Sequence, residues 1–371
     1  MKVLITGADG FIAKTLRIRV SELPESSVVL FTRTNEISDL PALLDGVDAV
    51  IHLAGVNRPD TEGEFVTGNA ALTQALCNAI ALTTNKPIVI LASSTQAAQD
   101  NAYGRSKLAA EQAVRHLANN HGVRAYIYRL PNVFGKWCKP NYNSVVATFC
   151  HNIAQDLPIQ INDTAKTLSL VYVDDVVNAF LEIISEHGNK NSVAIEQSVQ
   201  PEYDITLGDL ASQIQAFKDS RTTGITEAVG TGLTRALYST YISYLKPLQF
   251  SYPLTKHADP RGEFVEMLKT RESGQFSYFT AFPGITRGGH YHHTKTEKFL
   301  VIRGEARFKF RHMVTNERFE LITNGDNPTI VETIPGWTHD ITNIGETEMI
   351  VMLWANEIFD RQKPDTINSP L

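Results

Sequence analysis

A chain of 371 residues that is 43% hydrophobic and 20% charged has room for about two or three domains and is too apolar to stay disordered. Its net charge of −6 argues against a nucleic-acid binder held by a basic surface. Cys77, Cys138 and Cys150 fit neither a disulfide framework nor a CxxC site, which points to a reducing, cytoplasmic setting. No apolar run reaches the ~18 residues of a membrane span. The opening Lys2-Val-Leu-Ile-Thr-Gly7 reads as a strand entering a turn rather than a signal peptide.

In chain order, residues 2–7, 27–32, 48–55, 87–94 and 124–131 read as buried strands. Residues 69–83 and 103–120 carry helical periodicity. Strands alternating with helices predict a parallel sheet covered on both faces. Residues 186–245 are mixed and polar, and read as a smaller helical and loop region. Beyond about residue 250 the texture changes. Residues 263–270, 275–282, 297–304, 305–312, 318–323, 329–335 and 348–355 are strand-like runs parted by turns, which predict an antiparallel barrel or jelly roll. The expected fold is an α/β Rossmann-type doubly wound domain over 1–245, a linker over 246–253 around Lys246-Pro247, and an all-β domain over 254–371.

Directly after the first strand comes Gly7-Ala-Asp-Gly10-Phe-Ile-Ala13. Gly7 allows a tight turn, Gly10 lets backbone N–H groups approach a pyrophosphate at a helix N-terminus, and Ala13 still permits close helix–strand packing. The second strand ends in Thr32-Arg33, where an arginine suits the 2′-phosphate of NADPH better than the ribose hydroxyls of NAD. Tyr103 and Lys107 are one helical turn apart and share a face. The Lys107 ammonium is expected to lower the phenol pKa and make Tyr103 a usable general acid for a developing alkoxide. Ser94, with Ser93 and Thr95 as alternatives, sits where a hydroxyl could hydrogen-bond the same oxygen.

With His52-Leu-Ala-Gly55, Asn69, Arg129-Leu-Pro-Asn-Val-Phe-Gly135 and Tyr172-Val-Asp-Asp175, these pieces make residues 1–245 resemble the extended short-chain dehydrogenase/reductase family. Members act mostly on nucleotide-activated sugars. The resemblance implies catalytic roles for Ser94, Tyr103 and Lys107. It implies cofactor contacts from Gly7, Asp9, Gly10, Phe11, Ile12, Arg33, Leu53 and Ala54, alongside Tyr103 and Lys107. It places the nucleotide sugar near Asn132 and the segment 135–143, where Lys136 and Lys139 suit a diphosphate and Trp137 or Tyr142 a base or ring.

In the second half, His290 and His292 alternate on a strand, Glu297 opens the next strand, and His339 supplies a third imidazole. That set suits a divalent transition metal. Spacing does not select the metal, and zinc is favoured over iron because nothing else suggests redox or oxygen chemistry. His293 is expected to point outward. Gly284, His290, His292, Glu297 and Gly304, with His339 and Asn343 downstream, resemble the motifs of the cupin superfamily. The stretch His257–Phe264 is similar to the opening of its deoxysugar 3,5-epimerases.

As a whole the chain resembles the bifunctional capsule-precursor enzymes of the UDP-N-acetyl-L-fucosamine pathway. The resemblance implies a UDP-4-keto-6-deoxy-N-acetylhexosamine substrate, C3 epimerisation in the cupin and NADPH reduction at C4. The product would be UDP-N-acetyl-6-deoxy-talosamine. A water at the metal, His312 and Tyr291 remain open as the C3 base. A reductase with a purely structural cupin and a non-catalytic NADPH- or sugar-binding protein are the alternatives. A homodimer, formed through the β domain, is expected, with neither nucleic acid nor membrane as a partner.

Overall fold

The computed structural model describes residues 1–185, 194–254, 256–259, 262–265, 268–270, 274–357 and 362–371, with backbone alone for 256–259, 262–265, 269–270 and 275. Among these residues no helix is long and apolar enough to cross a membrane. The chain forms two compact units, 1–138 with 168–204, and 139–167 with 205–371.

The first unit is built on a six-stranded parallel sheet among the described residues. Its order is Ser27–Phe31, Lys2–Thr6, Ala49–His52, Ile88–Ser94, Ala125–Leu130 and Ala194–Gln197. Successive side chains alternate between two buried faces. Val3 and Ile5 join Leu16, Val177 and Phe180 on one side, while Leu4 and Val50 join Leu76, Ile80, Val114 and Leu117 on the other. Burial on both faces is why these strands are almost continuously apolar in sequence. The strand order reverses at Lys2–Thr6, so a crevice opens where the carboxyl ends of neighbouring strands diverge. Gly7, Arg33, Leu53 and Ser94 all lie at those ends.

Two details differ from the periodicity. The helix expected over 69–83 begins as a wide π turn, Val66–Ala71, before the α-helix Leu72–Ala81. Asn69 causes it: its side chain bonds both the N–H (2.8 Å) and the carbonyl (3.0 Å) of Val56 instead of facing outward. Within the region expected to be helix and loop, residues 194–197 supply the sixth strand of the sheet.

The second unit contains the helices Val145–Ala154, Leu207–Thr223 and Gly232–Ile242 and two five-stranded antiparallel sheets. One sheet runs Ser251–Pro253, Thr329–Glu332, Glu297–Arg303, Met349–Ala355, Gln275–Ala281. The other runs Arg318–Asn324, Glu305–His312, Trp337–Asn343, Thr286–Tyr291, Ile367–Asn368. Phe299, Phe308, Phe310, Val331, Val351 and Trp354 fill the buried interior. The α/β and all-β domains expected from the sequence are both present. The segment 246–253 is more than a connector, however. Phe250 is fully buried, 5.0 Å edge-on from Trp337, and Ser251–Pro253 pairs with Thr329–Val331. The buried ring, the strand pairing and the Gln249 amide's bond to the Ala154 carbonyl at 2.7 Å together dock that stretch as a sheet edge.

Candidate active site and metal centre

The helix Ala102–His121 carries Tyr103 and Lys107, the pair expected to move a proton. Asn101 caps it by accepting the Gly104 N–H at 2.8 Å. A Cβ at Gly104 would lie 2.3 Å from the Gln99 carbonyl oxygen and 2.4 Å from that of Gln96. Only glycine lets the helix seat against the turn that follows Ser94. Tyr103, Lys107 and Glu111 then fall on one face.

Of the three candidate hydroxyls, Ser94 is the one that acts on the Tyr103 phenol, drawing its pKa down. Ser93 instead donates to Glu111 at 2.6 Å, and the same buried carboxylate takes a forked pair of bonds from Arg129 at 2.9 and 2.7 Å. Burial raises the Tyr103 pKa against the pull of Ser94. This corrects the expectation that Lys107 would lower it. The Lys107 ammonium donates to the Ala92 carbonyl at 3.0 Å, and burial pushes its own pKa down to about 8 despite Glu111. The phenol is thereby kept in the protonated form that a general acid needs.

Asn69 ties this helix to the nucleotide loop. Its amide donates to Ser106 at 2.9 Å, and Ser106 donates to the Tyr103 carbonyl at 2.7 Å. Behind it, Thr73 donates to the Asn69 carbonyl, so its oxygen accepts the Nε2–H of His52 at 2.8 Å. Nδ1 of His52 then accepts from Thr6 at 2.6 Å, and the Thr6 oxygen receives the N–H groups of Leu53 and Ala54, each at 3.2 Å. Burial, with Lys107 nearby, pushes the His52 pKa down to about 3, so it is a neutral strut. The chain it holds brings Ala54 against Gly7, whose Cβ would lie 2.7 Å from the Ala54 Cα and whose φ is +63°. Gly10 is the N-cap of Phe11–Ser21, with Phe11 and Ile12 in its first turn. Asp9 beside them and Arg33 past the second strand are exposed. The roles of His52 and Glu111 escaped the sequence reading. The four-residue step from Lys107 to Glu111 was the available signal.

The expected substrate segment is mixed in character. Asn132 is exposed and donates to the Ser169 carbonyl at 3.0 Å. Lys136, expected on a diphosphate, is 1% exposed, with Nζ 2.8 Å from both carboxylate oxygens of Asp174. Its charge is spent inside the fold, which corrects that expectation. Trp137 is half-buried with φ at +68°, and its ring centroid lies 5.4 Å from the Lys136 ammonium. Lys139, the first residue of the second unit, is exposed, 5.1 Å from the Tyr142 ring centroid. Gly135, Trp137 and Asn141 all have positive φ, a density of uncommon backbone found at ligand sites.

In the second unit His290 pairs across the sheet with His339, His292 follows its strand, and Glu297 opens the next. One ligand atom from each of the four lies within 4.8 Å of all the others. The three imidazole centroids are 4.7, 4.9 and 5.2 Å apart. Glu297 Oε2 is 3.0 Å from His292 Nε2 and 3.5 Å from His339 Nε2. Burial, then His339 and His292, push the His290 pKa down to about 3. Burial also lowers that of His339. For Glu297 burial acts upward, but His292, His339 and Lys295 hold the carboxyl well below its ordinary range. Among the described residues neither ring nitrogen of the buried His339 has a hydrogen-bond partner. Three imidazoles and one ionised carboxylate, converging within 4.8 Å, are a donor set that zinc takes, so the residues fit the ion.

His293 does leave the cluster, but it is buried against Tyr291 (centroids 5.4 Å) and not at the surface. Tyr291 alternates away from His290 and His292. His312 accepts the N–H groups of Val314 and Thr315 through Nδ1, and its ring lies on Trp337. The side chains of 257–264 lie outside the described residues.

Comparison with known proteins agrees with this geometry. The NAD dependent epimerase/dehydratase family matches residues 3–195, and the Polysaccharide biosynthesis C-terminal domain matches 257–367. UDP-2-acetamido-2,6-beta-L-arabino-hexul-4-ose reductase of Pseudomonas aeruginosa is 55% identical over 366 residues, 99% of this chain and 98% of its own length. The crystal structure of the capsular polysaccharide assembling protein CapF from Staphylococcus aureus is similar with a TM-score of 0.67 at 40% identity, covering 100% of both chains. UDP-glucuronic acid 4-epimerase from Bacillus cereus, in complex with NAD, shares the fold alone, with a TM-score of 0.52 at 20% identity over 60% of this chain and 84% of its own. The chain therefore belongs to the NAD-dependent epimerase/dehydratase family, here joined to a polysaccharide-biosynthesis C-terminal domain.

Proposed function

We propose that this protein is a bifunctional nucleotide-sugar enzyme of capsule or O-antigen synthesis. It epimerises C3 of a UDP-4-keto-6-deoxy-N-acetylhexosamine in the β domain and then reduces C4 in the dehydrogenase domain, giving UDP-N-acetyl-6-deoxy-talosamine. The reductase half rests on the Ser94–Tyr103–Lys107 constellation and on the named activity of the 55% identical relative. The epimerase half is carried by one observation, the His290–His292–Glu297–His339 cluster in the same chain.

NADPH, with Arg33 near its 2′-phosphate, would supply the hydride to C4. Tyr103 gives its proton to O4, so the ketone gains one hydride and one proton and becomes an alcohol. Ser94 holds the same oxygen, and Lys107 restores charge balance beside the phenolate that results. Asn69 and His52 keep the catalytic helix and the nucleotide loop in register. Asn132, Trp137 and Lys139 are placed on the nucleotide sugar, and Lys136 is kept as the buried support of that segment.

Order follows from acidity. The C3 proton can leave only while C4 is a ketone, because the carbanion is then an enolate. Zinc held by the four-residue cluster would polarise that carbonyl and favour the enolate. The proton returned to the opposite face completes the inversion, and reduction then removes the acidity for good.

We place the reductase over 1–245 and the epimerase over 254–371. Buried reduced thiols at Cys77 and Cys150 support a cytoplasmic setting. A homodimer through the β domain is supported by the edge strand Gln275–Ala281, where Phe276 is 45% and Tyr278 73% exposed. The test is consumption of NADPH, followed by absorbance, with the 4-keto-6-deoxy UDP-sugar. The proposal expects turnover with that sugar. Tight cofactor binding without turnover would instead indicate a binding protein.

A further inference from the structure

The C-terminal residues after 361 do not trail away from the β domain. Ile367 and Asn368 pair with Tyr291 and His290, and the Ser369 N–H bonds the Gly289 carbonyl at 2.7 Å. Asp365 is the centre of this attachment. One carboxylate oxygen accepts the N–H of His293 at 2.9 Å. The other accepts those of Thr294 and Lys295, both at 2.7 Å, and the Thr294 hydroxyl at 3.1 Å. Three successive N–H groups converging on one carboxylate form an anion nest. The backbone carbonyl of Asp365 accepts the Nδ1–H of His292. That leaves Nε2, the nitrogen facing Glu297, as the one available to a metal. Next in the chain, Thr366 receives the buried Lys295 ammonium at 3.0 Å, and the same ammonium is 3.3 Å from Glu297 Oε1. Oε1 is thereby occupied, and Oε2 is the oxygen turned to His292 and His339.

We propose that Asp365 is a positioning residue of the metal centre. It sets the tautomer of His292 and, with Thr366 and Lys295, restricts Glu297 to one ligating oxygen. A one-oxygen carboxylate leaves zinc with four protein donors, so that substrate can add as a fifth, a position that a second Glu297 oxygen would otherwise take. Groups behind metal-bound imidazoles act in this way because they fix ring orientation and the nitrogen that carries the lone pair. The inference rests on the metal reading above and extends it to a part of the chain no motif marks.

Two measurements on the full-length protein test it. Zinc affinity, read by competition with a chromophoric chelator, should fall by about 10- to 100-fold in Asp365→Ala. Asp365→Asn should fall less, because its single amide oxygen can still accept the N–H groups of Thr294 and Lys295. In zinc-loaded protein, imidazole ¹⁵N spectra should show His292 protonated at Nδ1 and metal-bound through Nε2 in wild type, and a mixture of the two arrangements in Asp365→Ala. Should the alanine variant not fold, Asp365→Asn carries both readouts. A wild type that takes up no zinc would remove the metal reading itself. A folded Asp365 variant with wild-type affinity and an unchanged His292 tautomer would overturn this inference and leave that reading standing.

Discussion

Tyr103 is half-buried, and that burial favours the protonated phenol that the proposed general acid needs. Tyr103→Phe removes only that hydroxyl. NADPH-dependent turnover should drop by at least about 100-fold, with cofactor affinity measured by fluorescence unchanged. An equal loss of cofactor binding would mean that the phenol holds the cofactor and not the proton. His52 gives a second prediction. Its folded pKa is depressed to about 3 from an ordinary 6.5, so the native state favours the neutral ring. The stability this represents is complete above about pH 6.5 and is lost as pH falls toward 3, where the unfolded chain binds a proton the native one refuses. Urea unfolding should be steeper in pH for wild type than for His52→Gln, by at most about 1.4 kcal/mol per unit between roughly pH 6 and 4. Equal slopes would contradict the buried neutral assignment. Such residues are hard to read from sequence. Ser93, Ser94 and Thr95 are three adjacent hydroxyls, and only the direction of each side chain tells that one meets Glu111 and another the phenol.

At the scale of elements, the catalytic helix depends on one missing methyl group. Gly104→Ala would drive a Cβ into the carbonyls of Gln96 and Gln99, so the first helical turn must move and take Tyr103 with it. Turnover should fall by more than about 10-fold, with the zinc affinity of the β domain unaffected. Wild-type turnover would show that the turn relaxes instead. Lys136 joins the strand Asn132–Phe134 to the helix Val173–Ser185 through Asp174. Lys136→Met should destabilise the protein by about 3 kcal/mol in urea titration, since it takes away the ammonium that neutralises a buried carboxylate. Adding Asp174→Leu should recover most of the loss, and a double variant no better than the single would refute the pairing. Strands and helices with strong period were legible here, because burial on both sheet faces imposes it. The π turn at Val66–Ala71 and the docking of 246–253 were not. Each involves side chains, Asn69 and Phe250 among them, that meet partners distant in sequence.

For the whole molecule, the two candidate sites lie in different compact units, the Tyr103 helix in the first and the histidine cluster in the second. The four residues of the cluster were legible because strand alternation puts His290 and His292 on one face and the motif spacing brings Glu297 and His339 to it. Asp365 was not, because it is joined to His292 and His293 by hydrogen bonds between positions 73 and 72 residues apart in the chain. Two units with separate chemistries make a separable prediction: chelation should silence one and spare the other. The most direct measurement is product analysis by NMR after incubation of the 4-keto-6-deoxy UDP-sugar with enzyme, NADPH and zinc in deuterated water. The account predicts deuterium at C3, inverted configuration there, and an alcohol at C4. In chelated protein it predicts no C3 exchange and intact NADPH binding. A reduced product carrying protium and unchanged configuration at C3 would contradict it.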